Sequence, residues 1–404
     1  MRFAKNNLRW LLFFFLTVAV LSCSHNDDPA PPSEESNLVE ATATGAWAAE
    51  QLKLFVQLSG RDFNTELLAY DVDIYRVVYE TTYQGNEINA SGLVLLPKTT
   101  GNALPMISFH RGTIVKQSDA PSTLTKEHEQ VISYAGLASM GFITAVPDMI
   151  GFGESKDVFH PYYVEEPAAT AVIDLLRAAH ALAREKNVEF DKRVFLAGYS
   201  QGGYITLAAH KALEANPVED FELVASFPAA GGYDVLAMHD HILTEDTYPH
   251  PYYLAYVVMG YRSFYDEDDL VSVVFNEPYA SRIPGLFDGN NSAEDINAQL
   301  TTDTQTLVRE DVLLGTNTDP LYDYLQEKLE ENSLTDWAPK APVFFYHGSA
   351  DVTVPIGNTQ GTYDELISQD TNAANLHLIT LDGTHSSALE GYIEDLVKKL
   401  EQMK

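Results

Sequence analysis

Val194-Phe195-Leu196-Ala197-Gly198-Tyr199-Ser200-Gln201-Gly202-Gly203 is the stretch on which the reading of this chain turns. Its four leading apolar residues read as a buried strand, and Tyr204, Leu207 and Ala208 follow at the spacing of a helix's buried face. Glycines two before and two after Ser200 leave room for a strained turn that lifts the serine hydroxyl out of a sheet, at the positive end of the next helix. G-x-S-x-G is short and arises by chance, but between a strand and a helix it reads as a nucleophile elbow rather than a plain glycine turn.

A serine nucleophile needs a base and an acid to orient that base, in the chain order Ser, Asp or Glu, His for a strand-to-helix elbow. Beyond position 350 the chain has only His377 and His385. His377 falls inside the apolar run Leu376 to Leu381, whereas His385 falls in the loop that follows, Asp382-Gly383-Thr384-His385-Ser386. Loops at strand C-terminal ends carry function, so His385 is the expected base. Asp351, just past the apolar run Val343 to Tyr346, is the expected acid. Asp382 is its rival by proximity, but an acid on a separate strand end locks the imidazole better. Asp319 and the other acids of the long insertion lack a preceding core strand. The oxyanion needs two backbone donors. One is the Gln201 amide, and the other is the amide of Arg111 or Thr113 in His110-Arg111-Gly112-Thr113, after the run Met106 to Phe109. No metal or cofactor is required by this chemistry.

Around this centre, short apolar runs alternate with helical patterns. Val72 to Thr82 and Ile88 to Leu96 flank Gln84-Gly85-Asn86-Glu87 as a hairpin. Met106 to Phe109, Ile143 to Val146, Val194 to Ala197, Leu223 to Phe227, Val343 to Tyr346 and Leu376 to Leu381 read as strands. Helices are expected through Val131 to Met140, from Pro167 to Lys186, after Ser200, around Tyr363 to Ser368, and to Leu400 at the end. Such alternation predicts an α/β fold with a mostly parallel sheet. Between Ala229 and about Lys340 the pattern lapses into an irregular stretch, with Tyr248, Tyr252, Tyr253, Tyr256, Tyr261, Phe264 and Tyr265 in one window. An insertion of that size after the sixth expected strand reads as a cap, and its tyrosines as either pocket wall or cap core.

The N-terminus carries Arg2, Lys5 and Arg9, an apolar run from Trp10 to Val20 broken by Thr17, and then Leu21-Ser22-Cys23. This reads as a signal peptide over residues 1–22, too short for a permanent span. Ser22-Cys23 resembles the lipobox of bacterial lipoproteins, which implies lipidation of Cys23 and a place in the bacterial cell envelope, periplasmic or at the surface. Residues 23–46 are then expected as a flexible tether and 47–404 as the folded domain, the cap spanning about 229–340. The chain's 404 residues include 58 acidic against 25 basic ones, a net charge of −33 that argues against nucleic-acid binding. Its one cysteine excludes an intrachain disulfide and a thiolate zinc cage.

From about Val72 to Lys404 the chain resembles the α/β-hydrolase serine esterases and lipases, most of all the secretory-lipase-type branch. The resemblance is carried by Gly198-Tyr199-Ser200-Gln201-Gly202-Gly203, by Arg111-Gly112-Thr113 at the place of H-G-T, and by Pro342-Val343 through Gly348, Asp351, Val354 and Pro355. Val146-Pro147-Asp148 and Gly151-Phe152-Gly153-Glu154-Ser155 also recur in similar enzymes and read as structural. The resemblance implies hydrolysis of a small-molecule ester through Ser200, His385 and Asp351. The alternatives are an exopeptidase or amidase on the same triad, and an inactive surface-anchored binding protein.

Overall fold

The structure, a computed structural model, describes residues 36–59, 63–99, 101–369 and 372–404. The expected signal peptide, Cys23 and the tether as far as Glu35 lie outside the described residues. Nine strands among these residues form one sheet in the order β1-β2-β3-β5-β4-β6-β7-β8-β9. They are β1 (Leu38–Trp47), β2 (Val72–Tyr83), β3 (Asn86–Pro97), β4 (Leu104–His110), β5 (Ile143–Pro147), β6 (Phe190–Tyr199), β7 (Glu222–Ala229), β8 (Val343–Gly348) and β9 (Leu376–Leu381). The first three strands and the β3–β5 junction pair antiparallel, and every later pairing is parallel. The hairpin closes on Gln84-Gly85, both at positive φ, as a tight two-residue turn demands.

The helices that cover the sheet are α1 (Ala49–Ser59), α2 (Glu129–Ser139), α3 (Glu165–Glu185) and α4 (Gln201–Ala215). Eight more build the insertion: α5 (Val235–Thr244), α6 (Pro251–Phe264), α7 (Leu270–Val274), α8 (Tyr279–Leu286), α9 (Ala293–Asn297), α10 (Thr304–Leu307), α11 (Glu310–Leu313) and α12 (Pro320–Glu331). After β8 come α13 (Ile356–Ser368) and α14 (Ala388–Met403). Strand alternation puts Phe195 and Ala197 of β6 into one core with Leu137 of α2 and Leu396 of α14. Val194 and Leu196 point the other way, against Leu175 of α3 and Ile205 of α4. Burial on both faces is why β6 and β8 read as unbroken apolar runs. Among the described residues no helix is long and apolar enough to cross a membrane.

Two expectations are corrected. Residues 38–46, assigned to the tether, belong to β1, so the strand preceding the cap is the seventh rather than the sixth. β1 is an edge strand with no fully buried side chain, held by its ladder to β2. Backbone pairing leaves no apolar period in the sequence, which is why this strand was illegible. The helix expected from Pro167 begins at Glu165, where two acidic residues stabilise the first turn and the Glu165 amide donates to Asn332 Oδ1 at 2.8 Å.

Candidate active site

Ser200 occupies the turn from β6 into α4 at φ 60° and ψ −124°, in a region L-residues rarely adopt. The turn is possible because the helix starts hard against the neighbouring loop. A Cβ on Gly202 would overlap the His110 carbonyl, so only glycine fits there. The Ser200 amide donates to the Ala229 carbonyl at 2.8 Å, which ties the elbow to the end of β7.

His385 stands between β9 and α14, and Asp351 just past β8. The Ser200 hydroxyl donates to His385 Nε2 at 2.8 Å, and His385 Nδ1 donates to Asp351 Oδ2 at 2.6 Å. The other carboxylate oxygen accepts the Thr353 and Val354 amides at 2.9 and 3.0 Å. Burial by itself would raise the Asp351 pKa. Hydrogen bonds from His347, from His385 and from the Val354 amide outweigh it and hold the carboxyl well below its usual range. The rival Asp382 is exposed and makes no hydrogen bond to His385 among the described residues. His377 remains in β9, stacked on Phe344 at 4.4 Å, and Asp319 caps α12.

Two residues that sequence reasoning did not single out frame this centre. His347, at the end of β8, approaches Asp351 Oδ2 at 3.3 Å while donating to the Val354 carbonyl at 2.7 Å. The Tyr199 hydroxyl donates to the His385 carbonyl at 2.6 Å, and its ring packs beside the imidazole. The only signal for either was adjacency, to Asp351 in one case and to Ser200 in the other.

The loop expected to supply the second oxyanion donor is built differently from its H-G-T counterpart. His110 is not in the loop but ends β4, buried between Thr206 Oγ1 at 2.8 Å and Ser108 Oγ at 2.9 Å. The Arg111 guanidinium is buried over the Phe152 ring and donates to the Gly112 carbonyl at 3.0 Å and the Asp148 carbonyl at 2.7 Å. Burial lowers its pKa to about 10, so it is still cationic at neutral pH. Asp148 in turn accepts Ser91 Oγ at 2.6 Å and the Ser122 amide at 2.8 Å, giving the Val146-Pro147-Asp148 signature a structural job behind this loop. A Cβ on Gly112 would lie 3.6 Å from that of Ser200, and the Thr113 amide donates to no backbone carbonyl among the described residues. The Gln201 amide opens α4, where no carbonyl four residues back is available to it. The Gln201 side chain donates to His160 Nε2 at 2.7 Å, which fixes its orientation.

A pocket lined by Ser200 lies under the cap, its empty space of about 540 Å³ including open solvent at the mouth. Tyr162, Tyr163, Tyr248 and Tyr253 wall it together with Val235, Ile242, Leu254 and Val257, and no lining residue is acidic, lysine or arginine. The aromatic window thus divides. Tyr248 and Tyr253 reach the cavity, while Tyr256 stacks on Tyr162 at 4.3 Å and the Tyr261 hydroxyl donates to the Tyr163 carbonyl at 2.9 Å as packing. Among the described residues no cluster of His, Cys, Asp and Glu could hold a metal.

Burial beside this site makes stability depend on pH. His110 and His160 are pushed down to about 3 by desolvation, so both are neutral when folded. In the unfolded chain each takes up a proton near pH 6.5, which favours unfolding as the pH falls from there towards 3. Between pH 7 and 5 each histidine is expected to remove about 2 kcal/mol of stability, since the unfolded state alone gains the proton. Denaturant unfolding at the two pH values checks this, and a midpoint that does not fall at pH 5 contradicts it.

Comparison with known proteins agrees with this architecture. A hydrolase from Legionella pneumophila superposes with a TM-score of 0.78 at 24% identity, over 91% of this chain and 98% of its own. The rice cell wall degrading esterase LipA from Xanthomonas oryzae gives 0.78 at 22% identity, over 91% and 99%. Candida antarctica lipase A gives 0.61 at 15% identity, over 86% and 77%. These likenesses establish the α/β-hydrolase fold. No curated protein matches the chain in sequence. The family model of the X-Pro dipeptidyl-peptidases matches residues 91–387, from β3 through the His385 loop and so across well over half of the chain. The chain therefore belongs to the X-Pro dipeptidyl-peptidase (S15) family and is a serine hydrolase.

Proposed function

We propose that the chain is a carboxylic-ester hydrolase with Ser200 as nucleophile, His385 as general base and acid, and Asp351 as the group that orients and stabilises the imidazolium. His385 Nε2 takes the hydroxyl proton as Ser200 Oγ attacks the ester carbonyl. The oxyanion is received by the amides of Gln201 and Thr113. Among the described residues neither the Arg111 nor the Thr113 amide donates to a backbone carbonyl outside the ladders, and Thr113 is the one proposed here, with the Arg111 guanidinium holding the Gly112 carbonyl between them. The alcohol leaves with the proton from His385, and water deprotonated by the same nitrogen releases the acid and restores Ser200.

The observation that carries the ester reading is the cavity at Ser200, mainly aromatic and aliphatic and without a carboxylate in its lining. A free amino terminus is cationic at neutral pH, and burying it here would leave its charge unpaired. An acyl chain or ring carries no such cost. The family match favours the second reading, release of a short peptide from an amino terminus. Incubation with a fluorophosphonate probe, followed by peptide mapping and by hydrolysis of an ester and its matched dipeptide amide, separates the two. Labelling at Ser200 with preference for the ester supports the proposal. Preference for the amide transfers it to the peptidase reading, and absence of labelling to the binding-protein reading.

Action outside the cytoplasm, tethered through lipid on Cys23, is proposed from the sequence of the N-terminus alone. Cys23→Ser is expected to move the protein from the membrane to the soluble fraction on cell fractionation. Unchanged membrane retention would count against the anchor.

A further inference from the structure

We propose that the cavity behind Ser200 accepts an acyl group bearing a hydroxyl remote from the ester, and that His239 is the residue that recognises it. The inference rests on the esterase reading and specifies its substrate class. His239 lies on α5, 4% exposed, and lines the cavity beside Met238 and Ile242. Its Nε2 pairs with the Tyr322 hydroxyl at 3.2 Å, while its Nδ1 is buried with no hydrogen-bond partner. Two of the tyrosine hydroxyls on the same walls are engaged, Tyr162 with Thr113 Oγ1 at 2.6 Å and Tyr248 with the Thr353 carbonyl at 3.0 Å. Of the buried side-chain atoms without a partner among the described residues, His239 Nδ1 alone belongs to a residue that lines this cavity. Folded proteins rarely leave such an atom unpaired unless a ligand or water completes it.

The chemistry of the missing partner follows from the pairing already made. The Tyr322 hydroxyl either donates to Nε2 or accepts from it, so the neutral imidazole offers at Nδ1 a donor in one tautomer and an acceptor in the other. A hydroxyl satisfies both. Burial lowers the His239 pKa to about 4, which keeps the ring neutral and leaves a buried carboxylate without a positive charge to offset its own. Walls without charge disfavour an ammonium group equally. A purely apolar pocket has the opposite preference, because it desolvates a hydroxyl without compensation. The sign of the preference therefore discriminates between the two.

The test uses the full-length protein and two matched pairs of p-nitrophenyl esters: octanoate against 8-hydroxyoctanoate, and 3-phenylpropanoate against 3-(4-hydroxyphenyl)propanoate. The hydroxylated member of at least one pair is expected to have the higher kcat/KM, by about tenfold or more. In His239→Phe, which keeps a ring but has no nitrogen, the ratio is expected to fall to one or below, whereas His239→Gln, with an amide in reach, retains part of it. Fluorophosphonate labelling of Ser200 reports that each variant is folded. A wild-type ratio at or below one in both pairs overturns the proposal, as does an undiminished ratio in His239→Phe. Failure to hydrolyse any of the four esters, with Ser200 unlabelled, overturns the esterase reading itself, a result distinct from hydrolysis without preference.

Discussion

Ser200→Ala is expected to lose ester turnover by about 10⁶-fold in kcat, with the fold retained. In the proposed mechanism the hydroxyl is the atom that becomes covalently bonded to the acyl group, and the Gln201 and Thr113 amides can only stabilise an oxyanion that something else has generated. Water in its place lacks the fixed position from which Oγ attacks. The fold should survive because the serine side chain makes one hydrogen bond, to His385 Nε2, while its backbone amide remains tied to the Ala229 carbonyl. Alanine pays the same backbone strain as serine at φ 60°. Active-site titration and thermal unfolding of the purified variant are the measurements. Turnover within about a hundredfold of wild type, in a variant that no longer takes the fluorophosphonate label, would remove Ser200 from the mechanism.

Asp351→Asn is expected to cost about 10⁴-fold in kcat with KM little changed. If the asparagine oxygen keeps the Thr353 and Val354 amides, its NH₂ faces His385 Nδ1, where a donor meets a donor. His385 must then carry its proton on Nε2, pointing at Ser200, and cannot accept the serine proton. If the amide flips, two buried backbone donors lose their acceptor, at about 1–3 kcal/mol each. Either arrangement depresses kcat, and only the second lowers stability appreciably. Steady-state kinetics beside denaturant unfolding distinguishes them. A loss smaller than about tenfold would release Asp351 from the role.

The tether and the cap mark the limits of what periodicity can reveal. β6 and β8 were visible because burial on both faces leaves only apolar residues, and the elbow because its turn demands glycines at fixed offsets. β1 was invisible because an edge strand held by backbone ladders needs no apolar alternation. The tyrosines of residues 248–265 could not be divided in advance, since stacking partners such as Tyr162 and Phe287 come from distant segments. Arg111 marked a departure from H-G-T, but its part in holding the Gly112 carbonyl depends on where Asp148 and Phe152 fold.

From residue types and spacing alone, the sequence determined the α/β alternation, the strained turn at Ser200, and the positions of Asp351 and His385 beyond strand ends. Each is a local pattern, written in residues that are neighbours along the chain. The tertiary structure alone decided that Ser200 and His385, 185 positions apart, meet at 2.8 Å, and that Asp351 faces two imidazoles. It alone set His239 in a cavity wall with one nitrogen unpaired. Such contacts follow from the order in which strands assemble and from how the cap packs over their ends. Those are properties of long-range packing, which no local periodicity encodes.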